Sequence, residues 1–231
     1  MSNVSFSALI IILFLISCGG EKKATDQKSE NSSPEVKVSA PMKKAVLMFF
    51  GNSITAGYQL DPDDAFPALI SDKMDTLDYD YLVINAGLSG ETSAGGLSRI
   101  DWVLSTVPDV FVLELGANDG LRGLDLAESK INLQGIIDKV KLANKDVKII
   151  IAGMEMPPNL GKTYTNSFRQ IFRELATENN ATLIPFILDG VGGNPELNLP
   201  DGIHPTAEGH MIIAKNIWKY VESALVLNRK L

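Results

Sequence analysis

From Ala45 onward, short apolar runs alternate with longer stretches in which apolar side chains return every three or four positions. Ala45 to Phe50, Tyr81 to Asn85, Val110 to Leu115, Val147 to Ala152 and Thr182 to Phe186 are runs of the first kind. They have the composition of strands buried on both faces of a parallel sheet. Asp64 to Met74, Thr92 to Ser105, Leu126 to Ala143, Thr163 to Asn179 and Ala207 to Leu225 are the helical stretches between and after them. Leu126, Leu133, Ile136, Ile137 and Val140 illustrate the pattern, because their spacing puts one apolar face toward a core. Strand-helix repetition of this kind predicts a single α/β domain, a three-layer α/β/α sandwich around a five-stranded parallel sheet.

In such a sheet, ligands bind beyond the carboxyl ends of the strands. The polar residues that could carry chemistry fall there. Ser53 follows the first run, Gly90 the second and Asn118 the third, and Asp201 with His204 lies in the long loop after the fifth. His204 is one of two histidines in the chain, and imidazole exchanges a proton near neutral pH because its ordinary pKa is about 6.5. The other histidine, His210, sits inside the last helical pattern beside Met211 and Ile212, where a packing or surface role is expected.

Composition narrows the function class. The chain has 231 residues, 45% of them hydrophobic and 21% charged, with a net charge of −7. An acidic domain without a basic patch argues against nucleic acid as a partner. The single cysteine, Cys18, leaves the domain without a disulfide or a thiol nucleophile, and two histidines without a cysteine cluster give no zinc pattern. No metal or cofactor is expected.

Ala8 to Ile16 is an apolar run too short to cross a bilayer as a helix, which takes about 20 residues, so it reads as the core of a signal peptide. Leu15-Ile16-Ser17-Cys18-Gly19 resembles a bacterial lipobox, although Met1 to Ser7 lacks the usual basic residues. The resemblance implies cleavage before Cys18, its lipidation, and an extracytoplasmic protein anchored in the bacterial envelope. A buried cysteine in a membrane-anchoring helix is the other reading of this stretch. Glu21 to Ala40 is polar, with charges that cancel, and carries too little apolar surface to order itself. The expected organisation is a signal peptide over 1–17, a flexible tether over 18–42 and the folded domain over 43–231.

A serine hydroxyl needs a base to take its proton, and the base needs a carboxylate to hold its ring. Ser53, His204 and Asp201 supply those types, and Ser53 N–H, Gly90 N–H and the Asn118 amide supply donors for an oxyanion. Taken singly, Ser53 also reads as a helix cap, and Asn118-Asp119-Gly120 and Asp201-Gly202 as turns. The common hydrolase elbow Gly-x-Ser-x-Gly is not satisfied, because Thr55 holds its last position.

Four ordered blocks resemble those of the SGNH (GDSL) hydrolases. They are Gly51-Asn52-Ser53-Ile54-Thr55, Asn85 to Thr92, Gly116 to Gly123, and Asp201-Gly202-Ile203-His204-Pro205. The likeness is greatest to the bacterial thioesterase I, protease I and lysophospholipase group, which includes arylesterases. It implies a flavodoxin-like sheet of order 2-1-3-4-5, Ser53 as nucleophile, Asp201 and His204 as its partners, and Gly90 and Asn118 as oxyanion donors. It also places Met154, Met156 and Pro157 along an acyl groove and makes Asn118 to Gly123 a mobile loop. Asn52 departs from the family pattern, which has Asp before the serine, and altered local pKa values with intact chemistry are expected. The expected activity is hydrolysis of carboxylic esters, thioesters or lysophospholipids by a monomer. A carbohydrate O-acetyl esterase and a non-catalytic envelope lipoprotein are the alternatives.

Overall fold

A computed structural model describes residues 44–225. The expectations for residues 1–17, for the tether and for lipidation of Cys18 lie outside them. Strands β1 (Ala45–Gly51), β2 (Tyr81–Gly87), β3 (Val110–Glu114), β4 (Lys148–Ala152) and β5 (Thr182–Ile184) form one sheet of order β2-β1-β3-β4-β5. All neighbouring strands pair in parallel. The three-layer α/β sandwich is therefore the one that the strand-helix alternation predicts, and the strand order is the one that the family resemblance implies.

Helix α1 (Ser53–Ala56) follows β1, and α2 (Phe66–Thr76) leads to β2. Helix α3 (Ser93–Val103) follows β2, and α4 (Ala117–Leu121) with α5 (Leu126–Ala143) follows β3. Helices α6 (Lys162–Asn179) and α7 (Ala207–Ala224) complete the chain order. Helix α5 packs against α3 and α6, while α2 packs against α7. The core runs through β1 and β3, where Leu47, Phe49, Phe50, Phe111 and Val112 are fully buried. On α5, Leu133, Ile136, Ile137 and Val140 are buried, as their spacing predicts.

Boundaries differ where polar or proline residues intervene. Asp61 caps a short 3-10 turn at Pro62–Asp64, so α2 starts at Phe66 and not at Asp64. The last strand stops at Ile184 because Pro185 has no N–H to donate to the ladder. Two short helices, α1 and α4, are absent from the predicted list. Both lie at the carboxyl edge, and so does the site.

One register row organises that edge. Gly51 pairs with Gly87 on β2 and with Glu114 on β3, so the three strands leave the sheet together and their following loops converge.

Candidate active site

Helix α1 presents Ser53 at the end of β1. Asn52, not Ser53, is the cap, and its Oδ1 accepts from Ile54 N at 2.9 Å. Gly57 ends the helix with φ of 72°, a left-handed conformation that favours glycine. Gly51 before the turn is equally constrained, because a Cβ there would lie 2.2 Å from Thr55 Oγ1 and 2.5 Å from the Glu114 carbonyl oxygen. Backbone thus passes where no side chain fits, and Ser53 is held at the rim.

His204 and Asp201 reach Ser53 from the loop before α7. His204 Nε2 lies 2.9 Å from Ser53 Oγ, and His204 Nδ1 lies 2.8 Å from Asp201 Oδ2. The second Asp201 oxygen accepts from the backbone N–H groups of Ile203 at 2.9 Å and His204 at 3.0 Å. The backbone bond from His204, then its ring and the Ile203 N–H, hold the Asp201 carboxyl down to about 2. It is therefore a carboxylate over the whole range in which an imidazole exchanges its proton. The loop is closed by a bond from Leu199 N to His204 O at 2.7 Å, and Thr206 caps α7 beyond it. The Tyr58 ring lies over the imidazole with centroids 4.4 Å apart.

Gly90 and Asn118 come together through the loop after β2. Asn118 Nδ2 donates to Glu91 O at 2.9 Å, next to Gly90, and one hydrogen of its NH₂ remains free. Gly90 has φ of 80°, and its carbonyl accepts from Arg122 Nη2 at 3.0 Å. The sequence therefore locates all five site residues at one edge, and the structure links Ser53, His204 and Asp201 in one chain of hydrogen bonds.

Several charged residues that sequence reasoning missed fix these loops. Glu91 is buried and paired through both oxygens with Arg99 Nε and Nη2, while Arg99 Nη2 also donates to Ala86 O at 2.8 Å. The buried Asp119 accepts from Ser93 N at 2.8 Å and from Ser129 Oγ at 3.2 Å, which ties α4 to α3 and α5. The buried Glu114 accepts from Asn52 and Thr55 below the serine. A visible signal was available for Glu114, since it interrupts the apolar run Val110 to Leu115, and a lone acid in a buried strand needs partners.

A cavity of about 410 Å³ is lined by Ile54 and Ile203, the chain neighbours of Ser53 and His204, and by Met154, Met156, Pro157 and Leu188 among others. Its wall is apolar, and it includes the three residues expected along an acyl groove. Among the described residues no group of three or more His, Cys, Asp or Glu could hold a metal ion. The arrangement can do acid-base-assisted nucleophilic chemistry at a hydroxyl, with an apolar chain held next to it.

Known proteins resemble this chain over the same region. The model of the GDSL-like Lipase/Acylhydrolase family matches residues 49–212. Esterase TesA of Pseudomonas aeruginosa is 36% identical over 180 residues, which cover 78% of this chain and 89% of that protein. Thioesterase 1/protease 1/lysophospholipase L1 of Escherichia coli is 36% identical over 169 residues, which cover 73% of this chain and 79% of that protein. A crystal structure of TesA superposes with a TM-score of 0.75 at 36% identity, over 78% of this chain and 99% of that one.

Proposed function

The chain belongs to the GDSL-like lipase/acylhydrolase family and is an ester-hydrolysing enzyme, and on that footing we propose that it works through an acyl-enzyme on Ser53. The observation that carries this reading is the hydrogen-bond chain Ser53 Oγ, His204 Nε2, His204 Nδ1, Asp201 Oδ2. His204 Nε2 takes the Ser53 proton as Oγ attacks the acyl carbonyl, and Asp201 holds the ring and offsets the imidazolium charge. Ser53 N–H, Gly90 N–H and Asn118 Nδ2 receive the oxyanion. His204 then protonates the leaving alcohol or thiol, and a water activated by the same nitrogen releases the acid.

A fluorophosphonate tests the assignment directly, since it reacts only with an activated serine. Labelling is expected on Ser53 and nowhere else, and loss of labelling in His204→Ala. A protein that hydrolyses esters without labelling at Ser53 would sink the reading.

The apolar cavity supports medium-chain acyl esters, thioesters and lysophospholipids as the substrate class, in keeping with the names of the relatives. Met154 lines it and is buried, so Met154→Trp is expected to fill the chain-binding space. We expect kcat/KM for an octanoyl ester to fall about tenfold while that for an acetyl ester stays within about threefold, because lost apolar contact of this size is worth 1–3 kcal/mol. Hydrolysis confined to acetylated glycans, with octanoyl esters untouched in the parent protein, would instead assign the groove to sugar deacetylation.

We propose that the chain is lipidated at Cys18 and anchored in the bacterial envelope. Incorporation of labelled palmitate into the protein in a bacterial host, abolished by Cys18→Ser, would support envelope anchoring, and no incorporation in the parent would end it.

A further inference from the structure

Glu114 closes β3 directly beneath the turn that carries Ser53, and it is 2% exposed. Its Oε1 accepts from Asn52 Nδ2 at 2.8 Å, and its Oε2 accepts from Thr55 Oγ1 at 2.8 Å and from Asn52 N at 3.3 Å. Asn52 N and Nδ2 can only donate, and the Thr55 hydroxyl can donate as well, so the contacts favour a carboxylate. Burial opposes them and pushes the carboxyl up to about 7. The side chains that hydrogen-bond to it, Asn52 at the end of β1 and Thr55 in α1, carry no charge.

The grip on Asn52 has a second consequence. With Nδ2 turned to Glu114, Oδ1 must face the other way, where it accepts from Ile54 N at 2.9 Å and lies 3.4 Å from Ser53 Oγ. The amide orientation is thus set by Glu114, and the amide sets the backbone on which Ser53 sits. Aspartate at position 52 would retain the Oδ1 contacts but set a carboxyl oxygen against Glu114 Oε1, a pair that can share one proton but not lose it cheaply.

We propose that Glu114 is a positioning residue for Ser53: its carboxylate, held by Asn52 and Thr55 on either side of the serine, fixes the turn that aims Ser53 Oγ at His204, with Asn52 as its uncharged partner. The proposal rests on Ser53 being the nucleophile, which fluorophosphonate labelling of the parent protein checks separately.

The experiment measures kcat and KM on active sites counted by that probe, so a fraction of unfolded protein does not enter. Glu114→Ala is expected to lower kcat about tenfold with KM within about twofold, the signature of lost positioning and not of lost binding. Asn52→Asp is expected to work within about threefold of the parent near pH 7, where one proton is shared, and to lose about tenfold near pH 9 as that proton leaves. The same pH series on the parent supplies the baseline, so only a loss that the parent lacks belongs to the new pair. Adding Glu114→Gln to Asn52→Asp transposes the charge and restores donor to acceptor, and the alkaline loss should vanish. An unchanged kcat in Glu114→Ala would overturn the proposal, and so would an alkaline loss that persists in the double variant. If Glu114→Ala does not fold, the two Asn52→Asp proteins decide, by the presence of the alkaline loss and its relief.

Discussion

Ser53→Ala is expected to lower kcat for ester hydrolysis by about 10⁴-fold or more, equivalent to about 5 kcal/mol or more of transition-state stabilisation. The size follows from the way the three side chains act as one unit. Without Ser53 Oγ, His204 Nε2 has no proton to take and no bond to acyl carbon can form, so Asp201 contributes nothing further. His204→Ala should therefore cost about as much as Ser53→Ala, and the two together little more. What survives is the contribution of the oxyanion donors and the groove. The substitution removes only one hydroxyl whose side-chain partners are His204 and Asn52, so the thermal midpoint should stay within a few degrees of the parent. The measurement is steady-state hydrolysis of a p-nitrophenyl ester by protein purified from a host lacking background esterase. Activity of the alanine variant within about a hundredfold of the parent would show that another group carries the reaction.

The fold was legible because the five strands are short, mainly apolar and separated by helices with one core face. Burial on both faces of a parallel sheet forces that composition, and β1 shows it with buried side chains from Val46 to Phe50. The candidate site was legible because its residue types are scarce: one histidine of two lies outside a helical pattern, three residues after an acid. What the sequence hid is pairing across the sheet. Asn52 reads alone as a departure from a family pattern, and nothing local says that its amide meets Glu114, 62 positions away. Only the register Gly51↔Glu114 brings them together. Asp119 with Ser93 is hidden for the same reason, since the two lie in segments that follow different strands. The short helices α1 and α4 escaped because four or five residues cannot display a helical period.

His210 governs the second large effect, one of stability and not of catalysis. It lies in α7 at 1% exposure, and its Nδ1 accepts from Phe66 N at 3.0 Å, at the start of α2. The Phe66 ring stacks on it at 6.0 Å. Of the packing and surface roles expected from its place in the helical pattern, packing is thus the one observed. Nδ1 must be unprotonated to accept that bond, and burial lowers the pKa from the ordinary 6.5 to about 4. The sign follows from linkage. Between those two values the unfolded chain binds a proton that the folded chain refuses, so the stabilisation present above about pH 6.5 is lost progressively as pH falls toward 4. The full loss is on the order of 3 kcal/mol, a large part of the stability of an ordinary domain. His210→Asn keeps an acceptor oxygen near the position of Nδ1 but has nothing to protonate. It should cost stability at pH 7, through lost packing, and then lose less than the parent as the solution is acidified. Urea unfolding of both proteins at several values between about pH 7 and 4.5 measures this, and the carboxylates that titrate in both cancel in the difference. The gap between parent and variant should narrow by about 2 kcal/mol over that range. Two parallel curves would mean that the α2–α7 contact tolerates a charged His210, and the hydrogen bond from Phe66 N would then not be what sets its ionisation.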